Sequence, residues 1–154
     1  MKLQLSKDAT TVLEELYALV KETADGHMKL DMNEKDSGIM PVSIEIIRDF
    51  KNGRMLLSVA HYYEQEGDMM ADPMMEFLRD NSPYLSKPVW YAVRYKMNGI
   101  FATDRDSLII NEVTGAPERY FKKSNYADRT FASTWMRNIA WQQQLKSFLK
   151  VKVK

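Results

Sequence analysis

Two Asn-Gly pairs constrain the fold of this chain more than any other feature of the sequence. Asn-Gly between segments of strand-like composition is the strongest short-range signal for a β-hairpin, because both residues tolerate the positive φ angles of a tight turn. Asn52-Gly53 and Asn98-Gly99 each separate two segments rich in β-branched and aromatic residues. The segments are Val42–Phe50 and Met55–Tyr63 in the first case, and Val89–Tyr95 and Ile100–Thr103 in the second. The sequence therefore predicts two antiparallel hairpins.

Alternation within the first hairpin predicts which side chains face the core. Val42, Ile44, Ile46 and Phe50 share one parity and are expected to be buried together. The return strand has apolar groups on both faces, which predicts a central strand covered on both sides for part of its length. Its two faces carry Leu57, Val59, His61 and Tyr63 on one side, and Leu56, Ser58, Ala60 and Tyr62 on the other.

Weaker signals predict the remaining strands and turns. Alternation of Met28, Leu30 and Met32 with polar residues predicts a short edge strand. Asp72-Pro73 is expected to break the chain before a strand at Met74–Leu78, and a further short strand is predicted at Leu108–Asn111. Turns are expected at 36–38, 64–68 and 81–83.

Helical periodicity appears at both ends of the chain. Apolar residues spaced by three and four predict a helix over 7–24, with Ser6 or Asp8 as its N-cap and Gly26 as its C-terminal stop. Its stripe consists of Val12, Leu13, Leu16, Leu19 and Val20. A second helix is predicted over 127–149, followed by a basic tail at 150–154, with Gln142, Gln143 and Gln144 on or near its exposed side. Its apolar side consists of Phe131, Trp135, Ile139, Leu145, Phe148 and Leu149.

The resulting fold class is α+β, with an antiparallel meander of four to six strands over 42–111 flanked by N- and C-terminal helices. The length of 154 residues fits a single domain over 1–154. The absence of cysteine excludes disulfides, thiolate catalysis and thiolate metal sites. Apolar runs are too short to span a bilayer and no signal-peptide pattern opens the chain, so no membrane association and a cytoplasmic location are expected.

Charge is sorted along the chain. Residues 119–154 carry nine basic side chains and one acidic one, whereas residues 64–80 carry six acidic side chains and one basic one. Such asymmetry is typical of a surface that meets a charged partner, although a basic helix can also lie beside acidic loops of its own domain. The candidate acidic binding surface consists of Glu64, Glu66, Asp68, Asp72 and Glu76. The candidate basic surface consists of Lys122, Lys123, Arg129, Arg137, Lys146 and Lys150.

Three chemical alternatives concern the segment from His61 to Phe77. His61, Glu64, Asp68 and Asp72 offer nitrogen and oxygen ligands for a divalent metal, but at no recognised ligand spacing. Methionines at 69, 70, 74 and 75 are soft copper ligands, yet methionine more often fills gaps in a core. Glu45, Asp72 and Glu76 supply the carboxylates of a metal-dependent nuclease without the lysine that often accompanies them. No metal, cofactor or catalytic residue is therefore expected.

Three separated motifs carry a resemblance. They are Met40-Pro41-Val42 with Glu45; His61-Tyr62-Tyr63-Glu64-Gln65 continuing through Gly67-Asp68, Asp72-Pro73, Met75 and Phe77; and Phe131-Ala132, Thr134-Trp135 and Asn138-Ile139. Over about residues 40–143 the chain resembles an uncharacterised bacterial domain family of conjugative plasmids, integrated elements and phages. The family tends to show a polar turn with Asp before Gly where this chain has Arg94–Gly99. The resemblance implies mobile-element biology but supplies no established activity or catalytic residues, so no catalytic site is carried over from it.

These observations lead to one leading hypothesis and two alternatives. The leading hypothesis is a non-enzymatic accessory protein of a mobile element that binds a protein partner, such as a CRISPR or restriction complex, because an acidic face can imitate nucleic acid. The first alternative is nucleic-acid binding through the basic C-terminal segment, with Tyr120, Phe121, Tyr126, Trp135 or Trp141 stacking on bases. The second alternative is a metal-dependent enzyme.

Overall fold

The computed structural model describes residues 3–32 and 38–152. Within them, six strands form one antiparallel sheet in which each strand pairs with the next along the chain. These strands are β1 (His27–Leu30), β2 (Val42–Asp49), β3 (Arg54–Gln65), β4 (Asp68–Asp80), β5 (Val89–Met97) and β6 (Thr103–Asp106). A separate two-stranded sheet contains β7 (Leu108–Ile110) and β8 (Pro117–Tyr120), and the helices are α1 (Lys7–Val20), α2 (Lys122–Gln142) and α3 (Phe148–Lys152). The predicted α+β meander flanked by helices is confirmed.

Helix α1 begins where the sequence predicts and ends earlier. The Ser6 hydroxyl accepts a hydrogen bond from the backbone N–H of Ala9 at 3.2 Å, so Ser6 is the N-cap. Apolar side chains of the predicted stripe are fully buried, apart from Leu19, which is exposed. Thr23 Oγ1 donates to the carbonyl of Val20 at 2.6 Å and satisfies one of the last helical carbonyls. The helix therefore ends at Val20 rather than near residue 24.

Both long helices pack on one face of the six-stranded sheet and form the main core with it. Trp135 of α2 is buried there, as predicted, and its ring meets His61 of β3 edge to face. The largest fully buried side chains of this core include Leu13, Ile44, Leu57, Met75, Phe77, Trp90, Met136 and Ile139. None of the helices in the described ranges combines the length and apolar composition that a membrane crossing requires.

The opposite face of the sheet, here called the outer face, has a second core that alternation alone did not predict. The pairing of β2 with β3 shifts register between Ile46 and Arg48. Phe50 therefore packs into the cluster of Leu56, Leu78, Val93 and Leu108 instead of joining Val42 and Ile44. The β7–β8 sheet contributes Leu108 to this cluster and covers one end of the outer face. Strand β3 is covered on both sides there, as expected for a central strand.

The predicted break at Asp72-Pro73 is wrong, because β4 continues through both residues. The register between β3 and β4 shifts between Ala60, which pairs with Met74, and Tyr62, which pairs with Ala71. Proline has no N–H to donate to a neighbouring strand. At the register shift Pro73 has no regular pairing partner on β3, so the strand continues through it without that hydrogen bond. The Asp72–Pro73 peptide bond is cis.

The predicted return strand at Ile100–Thr103 is also wrong. Residues 98–102 form a loop, and β6 begins only at Thr103. Asn98 pairs across to β4 instead of closing a two-residue turn: its N–H donates to the carbonyl of Ala71 at 2.9 Å. Asn98 therefore extends the pairing of this chain segment with β4, and the chain reverses direction only after it.

The predicted helix over 127–149 is two helices. Helix α2 starts earlier, at Lys122, and ends at Gln142 because Gln144 takes a left-handed φ of 54° and the N–H of Leu145 bonds the carbonyl of Ala140. Gln143 is buried rather than exposed, and its Nε2 donates to the carbonyl of Met40 at 3.1 Å. Leu149 is exposed rather than part of the apolar side. Residues 150–152 belong to α3 rather than to a tail, and residues 36, 37 and 153–154 lie outside the described residues.

Candidate functional site

The tip of the β3–β4 hairpin brings three of the predicted acidic residues together. Glu66 and Gly67 form a two-residue turn with φ angles of 52° and 87°, the pattern of the hairpin turn that matches strand twist. Glu64, Glu66 and Asp68 are all exposed around this turn. No described lysine or arginine lies within salt-bridge distance of these three carboxylates. The hairpin tip is therefore an uncompensated negative surface.

Asp72 and Glu76 do not join that surface. Asp72 is half-buried beside the register irregularity of β4. Glu76 lies on the outer face, where its Oε2 accepts a hydrogen bond from Arg94 at 3.2 Å. Arg94 also holds Asp104 at 2.7 Å, and this hydrogen bonding keeps the pKa of Asp104 below its ordinary value. The charge of Glu76 is thus already compensated within the sheet.

Exposed apolar side chains lie at the same end of the sheet as the acidic tip, partly in residues where the sequence predicts a strand. Met69, Ile100 and Phe101 are 64, 95 and 87 % exposed. Met69 pairs with Glu64 in the hairpin, while Ile100 and Phe101 occupy the loop after Asn98. We call these six residues the hairpin-end surface: Glu64, Glu66, Asp68, Met69, Ile100 and Phe101. The Asn-Gly pair and the strand-like composition of Ile100 and Phe101 both favour a strand at these two residues, so no sequence signal identified the loop.

Two hydrogen bonds fix this apolar loop against the hairpin. The N–H of Ala71 donates to Asn98 Oδ1 at 2.6 Å, and the N–H of Asn98 donates to the carbonyl of Ala71 at 2.9 Å. The next residue, Gly99, lies near the hydroxyl of Tyr63, at a distance that would put an added Cβ in ordinary van der Waals contact with it, 3.5 Å away. The exposed Ile100 and Phe101 are therefore presented from an anchored loop.

The side chain of His61 is buried in the core and contacts residues of the scaffold. Its Nδ1 lies 2.9 Å from the carbonyl oxygen of Pro41, and its ring packs on Trp135. Within the described part of the chain, no group of three or more histidine, aspartate or glutamate side chains is arranged to hold a metal ion. His61, Glu64, Asp68 and Asp72 are therefore not assembled into the metal site that one alternative required.

The nuclease alternative requires three carboxylates at one site, and the copper alternative requires several methionines at one site. The strands assemble neither set. Glu45 and Glu76 both pair with Ser58, from opposite sides, so they share the outer face with Tyr62. Burial raises the pKa of Tyr62, and the two carboxylates add to that rise. Arg94 neutralises Glu76, and Asp72 lies outside this group.

Of the methionines, Met69 is exposed, whereas Met74 and Met75 are buried in two different clusters.

The structure divides the predicted basic surface into separate parts. Lys122, Lys123 and Arg129 line a pocket of about 360 Å³ at the start of α2, together with Tyr120, Asn125 and Tyr126. Arg137 lies further along α2, where its Nε bonds the carbonyl of Ser133. Lys146 and Lys150 line a different groove beside α1. Trp135 is buried, so of the two tryptophans proposed for stacking only Trp141 is exposed.

A family model described as "Domain of unknown function (DUF6908)" matches residues 9–145 of the chain. No curated protein and no solved structure matches it. The matched range begins within α1 and extends beyond the end of α2, so it contains the six-stranded sheet, the β7–β8 sheet and the hairpin-end surface. Because the match covers most of the sequence, the chain belongs to the DUF6908 family of domains of unknown function.

Proposed function

We propose that this domain binds a protein partner through the hairpin-end surface and catalyses no reaction of its own. The observation that carries the proposal is the nearly complete exposure of Ile100 and Phe101 on an anchored loop, at the same end of the sheet as three uncompensated carboxylates. Large apolar side chains grouped on a surface and rimmed by polar groups mark interaction sites.

Burial of the apolar residues supplies the affinity in this proposal. Removing an isoleucine or phenylalanine side chain from water is worth about 1.5–3 kcal/mol. Anchoring by Asn98 matters because a preorganised loop loses less conformational entropy when the partner binds. Ile100 and Phe101 therefore act as the central contacts of the interface, and Met69 adapts to the partner surface as flexible methionines do.

The acidic residues define the chemistry of the partner. Glu64, Glu66 and Asp68 form a negative rim next to the apolar loop. A complementary surface has an apolar recess bordered by lysine or arginine. Complementary rim charges mainly accelerate association, so binding to such a partner slows as salt concentration rises.

We further propose that the domain is an accessory protein of a mobile genetic element and that its partner belongs to a host defence complex. The resemblance of the three motifs to a family of plasmids, integrated elements and phages supports this assignment. The acidic hairpin tip is consistent with it, because a negative surface can occupy a cationic groove built for nucleic acid.

Comparative capture of host proteins tests the interface. The immobilised wild-type domain is compared with I100S/F101S and with V113S/L149S, a matched control at two apolar side chains that are also exposed. The proposal predicts a protein retained by the wild type and by the control and lost with I100S/F101S. Equal retention by all three proteins, or equal loss in both variants, would contradict it.

A second candidate function is nucleic-acid binding at the pocket at the start of α2. Lys122, Lys123 and Arg129 line this pocket with Tyr126, which is 66 % exposed and whose ring lies under the Arg129 guanidinium at 5.8 Å. Such a ring can stack on a base through its exposed surface. Salt dependence of binding to a generic single-stranded oligonucleotide tests this candidate, because each neutralised phosphate releases counterions. A steep decrease of affinity with salt, weakened by K122E/K123E, would favour it over the protein partner. Absence of binding at low salt would exclude it.

A further inference from the structure

A groove on the far side of the fold has walls from three segments that are distant in sequence. Helix α1 forms one wall, residues Lys87–Trp90 form the second, and residues Lys146–Lys150 close one end. Its volume is about 850 Å³. Ligand sites for small molecules usually fall between about 300 and 1,000 Å³. The groove is therefore large enough for a small organic ligand.

Both carboxylates in this groove are already bound by internal donors. Glu14 Oε2 accepts hydrogen bonds at 2.7 Å from Arg79 Nε and from the indole N–H of Trp90. Burial pushes the pKa of Glu14 upward, but the bonds from Arg79 and Trp90 outweigh it and leave the pKa below its ordinary value. Glu15 accepts from the backbone N–H groups of Lys146 and Ser147 at 3.0 and 2.6 Å. The charge of Glu14 is paired with Arg79, whereas Glu15 keeps its charge and is outnumbered by the lysines of the groove.

Four lysines border the same groove without such compensation. Lys7, Lys87, Lys146 and Lys150 are exposed, and none lies within 4.0 Å of a carboxylate oxygen among the described residues. Ser147 adds a buried hydroxyl that has no hydrogen-bond partner in the described structure. The rim of the groove is therefore positive and retains unused hydrogen-bonding capacity.

The floor between these lysines is apolar. Leu5, Ala18, Leu19, Pro88 and Val89 line it, and Leu19 is the residue of the α1 stripe that the core leaves exposed. The ring of Trp90 is fully buried with its N–H bound to Glu14, so it offers no stacking surface for a nucleobase. An apolar body combined with an anionic head is the ligand that matches both the floor and the rim.

We propose that the groove between α1, Lys87–Trp90 and Lys146–Lys150 binds a small amphipathic organic anion. Its carboxylate or phosphate head contacts the lysine rim, and its aliphatic or aromatic body lies on Leu19 and Val89. Charge-assisted hydrogen bonds from the lysine ammonium groups recognise the anionic head. Burial of the apolar body provides the remaining binding free energy. This site is separate from the hairpin-end surface.

NMR titration of the full chain tests the site with octanoate and octyl phosphate, both kept below micelle-forming concentrations. The expected result is chemical-shift changes confined to Lys7–Leu19, Lys87–Trp90 and Lys146–Lys150, with no such changes from octyltrimethylammonium. A preference for one of the two anions identifies the head group. K87E/K150E is expected to weaken binding by about tenfold or more, whereas K29E/K51E, at exposed lysines outside the groove, leaves it unchanged.

Three results would overturn the proposal: neither anion perturbs these segments, the alkyl cation binds them equally well, or K87E/K150E binds like the wild type. The I100S/F101S variant separates the two sites, because it is expected to retain anion binding whether or not the protein partner exists. A18W provides a second probe, since a bulky ring placed on the groove floor blocks the ligand without changing charge.

Discussion

Asn98 and Ala71 exchange two hydrogen bonds, one through the Asn98 side chain and one through its backbone N–H. These bonds join the loop after β5 to the middle of β4, where the sequence alone predicts a simple turn. The consequence is that Ile100 and Phe101 are exposed on a supported loop, at the same end of the sheet as the acidic hairpin tip. The candidate interface therefore depends on a lateral contact between the loop after β5 and strand β4 rather than on the loop alone.

Removing the Asn98 side chain tests that contact. N98A leaves the part-buried N–H of Ala71 without its acceptor, so we expect a loss of about 1–2 kcal/mol in the free energy of unfolding. N98D keeps an oxygen in the same place and is the matched control. Urea denaturation measures both variants, and equal stabilities for N98A and N98D would contradict the role of the side-chain bond.

Gly53 and Gly67 both adopt positive φ angles but differ in their surroundings. A Cβ at Gly53 would stand 2.7 Å from the carbonyl oxygen of Asn81, whereas a Cβ at Gly67 would meet nothing within 4 Å. G67A therefore carries only the conformational cost of about 1–2 kcal/mol, and G53A adds about 1–3 kcal/mol for the backbone clash. Thermal unfolding of the two variants measures the difference, and a G67A variant as unstable as G53A would refute the clash.

Arg105 of β6 and Asp128 of α2 form an ion pair in which only one partner is buried. Asp128 is fully buried, and Arg105 donates to its Oδ1 at 2.6 and 3.0 Å. Burial raises the pKa of Asp128, although the bonds from Arg105 oppose the rise.

R105M leaves a buried carboxylate without its cation, and because Arg105 is partly exposed the expected cost is about 1–3 kcal/mol, less than for a fully buried pair. D128N keeps the acceptor oxygen and removes the buried charge, so its cost is smaller. Chemical denaturation at neutral pH orders the two variants, and the reverse order would show that Arg105 is not what makes the buried Asp128 tolerable.

Glu14 makes stability depend on pH in a defined direction. Its folded-state pKa lies below the ordinary value of 4.5, so the folded state favours the ionised form more than the unfolded chain does. This contribution is fully present well above pH 4.5 and is lost as pH falls through the folded-state pKa. E14Q is expected to be less stable than the wild type at pH 7, and the difference shrinks on acidification. A difference that grows below pH 4.5 would contradict the assignment.

Local patterns in the sequence predicted much of the scaffold, because they report local energetics. Apolar spacing in α1, the Ser6 cap and the Asn52-Gly53 hairpin are each set by interactions within a few residues. The register shift between Ile46 and Arg48 has no such local signature, so the predicted face of Phe50 was wrong. Proline is ordinarily excluded from a central strand, and the irregularity that admits Pro73 is likewise a property of the pairing with β3.

The candidate site was only partly predictable for the same reason. Residues that are close in sequence were grouped by charge, but the strands distribute them over different surfaces. Glu76 is compensated by Arg94 from the next strand, and Lys146 and Lys150 meet Lys7 and Lys87 at the groove. Ile100 and Phe101 have strand-like composition, and only the bonds of Asn98 place them in an exposed loop. Such relationships depend on tertiary pairing, which no single segment of sequence encodes.

Site-specific photo-cross-linking in host cells tests the proposed interface most directly. A photoreactive amino acid replaces Phe101 in one protein and Val113, which is 76 % exposed on the β7–β8 connection, in a control protein. We expect a discrete adduct with one host protein from position 101, none from position 113, and loss of that adduct in E64K/E66K/D68K. No adduct from position 101, or equal adducts from both positions, would contradict it.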